Sequence, residues 1–104
     1  MNNNFGLKKT DLENIISILQ KESNVEKALI FGSRAKGNDK YGSDVDIALV
    51  GVKLDRNIVT HISFILNEET FMPYNFDVLN YNTINNKELL SHIDRAGKLI
   101  YSKS

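Results

Sequence analysis

A chain of 104 residues, 41% of them hydrophobic, suffices for one small domain around one core and leaves no room for a separate substrate-holding domain. Its 13 basic and 13 acidic side chains cancel, so no net positive field advertises a long nucleic-acid track. Cysteine is absent, which excludes disulfides and thiolate metal sites, and no apolar run reaches signal or transmembrane length; the expectation is a cytoplasmic protein.

In chain order, Thr10 followed by Glu13 reads as a capping box, and Leu12, Ile15, Ile16 and Leu19 recur at helical spacing up to about Glu22. The run Ala28 to Phe31 reads as a buried strand, Gly32-Ser33 as its sharp exit into a short helical turn, and Val45 to Val50 as a second strand. Asp55 suits the cap of a helix whose inward stripe is Ile58, Ile62, Ile65 and Leu66 and which cannot continue past Pro73. Tyr74 to Leu79 alternate weakly and form a third strand holding Asp77. Asn85 with Glu88 offers a second capping box, Leu89, Leu90 and Ile93 follow, Gly97 suits the position past a helix end, and Lys98 to Tyr101 close the chain as a short strand. With no repeat, linker or low-complexity segment, residues 1–104 read as a single domain of α+β class, α/β-like in its alternation, ordered α-β-α-β-α-β-α with a small sheet flanked by helices.

Chemistry concentrates between residues 32 and 46. Gly32 lets the backbone turn tightly and approach a ligand, Ser33 offers a hydroxyl and an amide, and the free amides of a helical turn starting there attract phosphate. Arg34 or Lys36 adds charge. Taken alone, Gly-Ser-Arg reads as readily as a polar turn.

Asp44 and Asp46 alternate onto one face at ~3.3 Å per residue, roughly 6 to 7 Å apart. Such like charges resist ionising together. A divalent ion resolves the repulsion, and all-oxygen ligation favours magnesium. A lone Asp-x-Asp also fits a turn followed by a solvated strand face. Asp77 is the candidate third ligand if its strand lies beside Val45 to Val50; Asp55, Glu68 and Glu69 compete for that role. Three carboxylates would hold two ions, one activating a hydroxyl and one holding the triphosphate, with Asp77 also placed to act as base. His61 and His92, lacking His or Cys companions, read as surface or packing residues. Tyr41 lies in the loop, where it could stack on a base.

Together these residues resemble a minimal nucleotidyltransferase of the DNA polymerase beta superfamily. That family's signature is Gly-Ser, ten residues, then Asp-x-Asp; here Gly32-Ser33, residues 34 to 43 and Asp44-Val45-Asp46 reproduce the spacing. The likeness extends to Ile30-Phe31, Ile47-Ala48-Leu49, Asp77 within Asn-Phe-Asp-Val-Leu, and the ending from Ile93 to Tyr101. Lys36 stands where the family often has Arg, and Ala96 where it often has Glu.

The resemblance implies the minimal nucleotidyltransferase fold with a mixed sheet. It implies Asp44, Asp46 and Asp77 as catalytic metal ligands for two Mg2+ ions. Gly32, Ser33, Arg34, Lys36 and Ser43 would contact the nucleotide. The implied reaction is transfer of AMP from ATP to a hydroxyl, with pyrophosphate released. Small members of this type act as antitoxins that attach AMP to a tyrosine of a cognate helical, HEPN-type toxin encoded nearby. Two other readings are a catalytic subunit that modifies a small molecule held by a separate helical substrate-binding subunit, and a non-catalytic module that neutralises the helical partner by complex formation. Phe71, Met72 and Tyr74, or the C-terminal segment to Tyr101, are candidate docking surface.

Overall fold

A computed structural model describes residues 5–36 and 44–103. The elements are α1 (Lys9–Gln20), β1 (Lys27–Phe31), α2 (Ser33–Lys36), β2 (Val45–Val50), α3 (Arg56–Glu68), β3 (Phe76–Asn80), a 3-10 turn (Tyr81–Thr83), α4 (Lys87–Ala96) and β4 (Lys98–Ser102). The four strands form one mixed sheet in the order β3-β2-β1-β4. β1 runs antiparallel to β2 and β4, while β2 and β3 are parallel. Parallel neighbours need a crossover of a dozen or more residues, and α3 supplies it.

Strand alternation sorts the apolar residues onto two faces. One carries Ala28, Ile30, Val45, Ile47, Leu49 and Phe76, packed against Ile15 and Leu19 of α1 and Ile62 and Leu66 of α3. The opposite face carries Phe31, Ala48 and Leu79, and Ile93 of α4 covers them with Ile84 and Leu89. Asp46 belongs to this second face, two residues before Ala48, so the core itself fixes which way its carboxylate points.

Helix boundaries correct two expectations. α1 starts at Lys9 with Lys8 as an extended N-cap that makes no side-chain bond, so Thr10 is not the cap. Leu7, buried, and Leu12 sit at the positions flanking the cap whose apolar pairing sets the entry angle, and both join the core. Their burial pulls the first turn toward the N-terminus. α4 is capped by Asn86 rather than Asn85: its Oδ1 accepts from the amides of Glu88 and Leu89 at 2.9 and 3.1 Å. Asp55 caps α3 as expected, accepting from the Ile58 amide at 2.8 Å. α3 ends at Glu68, before Pro73, where the Thr70 hydroxyl donates to the Leu66 carbonyl at 2.7 Å.

Gly97 follows α4 as expected, but with an extended backbone at φ −65°. A side chain there would press on the Ile93 carbonyl, to which the Gly97 amide donates at 2.8 Å, so close approach rather than a left-handed turn calls for glycine.

Candidate active site

The site grows from one row across the sheet. Phe31 pairs with Asp46 across β1 and β2, and Asp46 pairs with Asp77 across β2 and β3. A directly opposed parallel pair brings two carboxylates onto one face at neighbouring strands. Asp55 is occupied in capping α3, and Asp77 rather than Asp55, Glu68 or Glu69 is the register neighbour of Asp46. Asp44 lies exposed just before β2, and Asp77 is also exposed, while Asp46 is half-buried.

Partial burial pushes the Asp46 carboxyl above its ordinary value of 3.8; the charges of Asp77 and then Asp44 push the same way, and the Arg34 guanidinium opposes them. Asp46 therefore feels the charge of both other aspartates. Among the described residues, no three His, Asp or Glu side chains are drawn into a preassembled metal cluster.

Beyond Phe31 the chain turns over this row. Gly32 adopts φ +77°, the left-handed region where side chains are strained. A Cβ there would also overlap Asp46 Oδ2 and lie 3.3 Å from its Cγ. Glycine is thus required twice, by backbone angle and by the carboxylate against its α-carbon. Ser33 opens α2, the short helical turn expected at that position.

Arg34 takes a different place from the one its charge suggested. It is 2% exposed, its Nη1 donates to the Phe5 carbonyl at 2.7 Å, and its Cζ stands 5.0 Å from the centre of the Tyr74 ring. Tyr74 in turn donates from its hydroxyl to Asp11 Oδ2 at 2.8 Å. The guanidinium thus ties α2 to the N-terminal segment and favours the ionised form of Asp46. Lys36 ends α2, and its side chain, with Ser43 and Tyr41, lies outside the described residues.

One residue that reads from the sequence as a surface or packing residue reaches the turn itself. His92 of α4 accepts the Gly32 amide through Nε2 at 3.1 Å and meets Phe31 edge-on, ring centroids 6.3 Å apart at 73°. Nothing local in the sequence signals this, because sixty residues separate the partners. His61 is an exposed residue of α3.

The sequence pattern of the family described as Polymerase beta, Nucleotidyltransferase matches residues 13–104. The chain belongs to that family. Solved structures with the same nucleotidyltransferase fold include a chain of a toxin–antitoxin complex with AMP-PNP, at 20% identity and TM-score 0.74 over 89% of this chain and 74% of that one. A chain of the MntA–HepT toxin–antitoxin gives 17% identity and TM-score 0.70 over 92% and 74%. A chain of the tri-AMPylated Shewanella oneidensis HEPN toxin in complex with MNT antitoxin gives 17% and 0.71 over 93% and 74%. No curated protein matches the chain. Among the described residues of this nucleotidyltransferase, no helix is long and apolar enough to cross a membrane.

Proposed function

We propose that this nucleotidyltransferase moves AMP from ATP onto a hydroxyl of a helical protein partner, acting as the antitoxin of a HEPN-type toxin with a tyrosine as acceptor. The observation that carries the reading is the Asp46–Asp77 register pair beneath a glycine turn that only glycine can make. Family membership supplies the reaction class, and the MNT–HEPN complexes of like fold supply the partner class.

The donor set suits a hard divalent cation. Asp44, Asp46 and Asp77 offer only oxygen, and the Asp46 carboxyl, raised first by burial and then by the charges of Asp77 and Asp44, gains from a nearby cation. Asp44, Asp46 and Asp77 would hold Mg2+, which would supply charge neutralisation on the phosphates and a lowered pKa for the attacking hydroxyl.

The chain's own groups do the rest. The Gly32–Ser33 turn and the Ser33 hydroxyl hold the triphosphate over Asp46, and Lys36 and Ser43 are further nucleotide contacts of the proposal. The acceptor oxygen attacks the α-phosphorus, the bond from that phosphorus to the bridging oxygen breaks, and pyrophosphate leaves with the electron pair. Asp77, exposed at the outer strand, takes the hydroxyl proton.

The test is a pair of incubations with Mg2+ and the product of the neighbouring gene, one with ATP labelled at the α-phosphate and one at the γ-phosphate. Label reaching the partner only from the α position supports the proposal. Label from the γ position, or from neither, refutes it.

A further inference from the structure

We propose that His92 is a positioning residue for the nucleotide-binding turn, its Nε2 holding the Gly32 amide so that the amide offered to phosphate is that of Ser33. This rests on the reading of Gly32–Ser33 as the triphosphate-holding turn.

The Gly32 amide leaves the β1 ladder where the chain turns at positive φ, and a backbone donor at such a half-buried bend needs an acceptor. The acceptor is a side chain from α4, reached at 3.1 Å. Accepting through Nε2 requires the neutral imidazole with its proton on Nδ1. The edge-on contact with Phe31, the residue preceding the turn, fixes the ring's plane.

α4 is itself anchored immediately after His92. Ile93 is buried against Phe31 and Ala48, and Asp94 Oδ1 accepts the Tyr81 hydroxyl at 2.6 Å. The imidazole is therefore held on a rigid element rather than on a mobile surface helix.

The consequence lies one atom further on. Because the Gly32 α-carbon packs on the Asp46 carboxylate, any rotation of the turn changes the spacing between the Ser33 amide and Asp46. His92 thus sets the separation between the group that meets phosphate and the carboxylate beneath it, without touching the nucleotide.

Three variants of the full chain separate positioning from packing. His92→Phe keeps an aromatic against Phe31 and loses the acceptor; His92→Gln places an amide oxygen near the reach of Nε2; His92→Ala loses both. The readouts are equilibrium binding of a non-hydrolysable ATP analogue with Mg2+, thermal melting, and the ring 15N shifts of His92 in the wild-type chain.

The expected result is an Nδ1–H tautomer, analogue binding about 3- to 10-fold weaker in His92→Phe at near-unchanged melting temperature, and recovery in His92→Gln. Should His92→Ala fail to fold, the Phe and Gln variants still decide. Wild-type binding that His92→Phe leaves unchanged, or an Nε2–H tautomer, overturns the positioning role alone. Failure of the wild-type chain to bind the analogue overturns both this role and the nucleotide reading.

Discussion

At the residue scale, Asp46 is held in a state that costs stability. Its carboxyl is raised by burial, by Asp77 and by Asp44, so the folded chain binds a proton more tightly there than the unfolded one. Below 3.8 both states are protonated and no penalty exists; as pH rises through the raised folded value the penalty of the ionised group appears in full. Asp46→Asn removes it. The variant is expected to melt above wild type at neutral pH, with the gap closing at pH below the ordinary carboxylate range. Melting curves across pH check this, and the same variant loses transfer. Gly32→Ala goes the other way: the positive φ and the overlap with Asp46 Oδ2 predict a loss of about 1 to 3 kcal/mol in urea unfolding. Arg34 belongs to the same balance. Buried within α2, it opposes the rise of the Asp46 pKa while donating to the Phe5 carbonyl and lying over the Tyr74 ring.

At the element scale, the site depends on how the outer strand β3 is kept in register. Asn67 of α3 clamps its first residue with both amide atoms: Nδ2 donates to the Phe76 carbonyl at 3.0 Å and Oδ1 accepts the Phe76 amide at 2.8 Å. Asn67→Ala should cost about 1 to 3 kcal/mol and speed hydrogen exchange at Phe76 and Asp77 more than at β1, measured residue by residue. Asp55→Ala, losing only the α3 cap, should cost about 1 kcal/mol in urea unfolding.

The strands and helices were legible in the chain because apolar periodicity and local side-chain caps report local structure. Asp55 before Ile58 and the switch at Gly32-Ser33 are cases in point. The two misplaced caps fail for physical reasons. Burial of Leu7 starts α1 earlier than Thr10 implies, and Asn85 and Asn86 are adjacent equivalents until packing chooses between them. The Asp46–Asp77 pairing was inferable only as a condition on strand order. The buried fate of Arg34 and the reach of His92 to Gly32 were not inferable, since both depend on contacts between residues far apart in sequence.

At the scale of the whole molecule, the sheet divides labour between its faces. α1 and α3 bury one face in the main core, and α4 covers the other only in part, leaving the carboxylate row at its margin. Met72 and Tyr74 pack against the main core, while Phe71 is fully exposed. On the proposed function, the acceptor hydroxyl belongs to a helical partner, and its modification, rather than its burial in a complex, is the neutralising event. The decisive measurement compares wild type with Asp44→Asn/Asp46→Asn for neutralisation of the partner's toxicity, alongside mass analysis of the partner for added AMP. The expected result is that the wild-type chain neutralises and leaves AMP on a partner tyrosine, and that the double variant binds the partner without doing either. Full neutralisation by the double variant, with an unmodified partner, would contradict it.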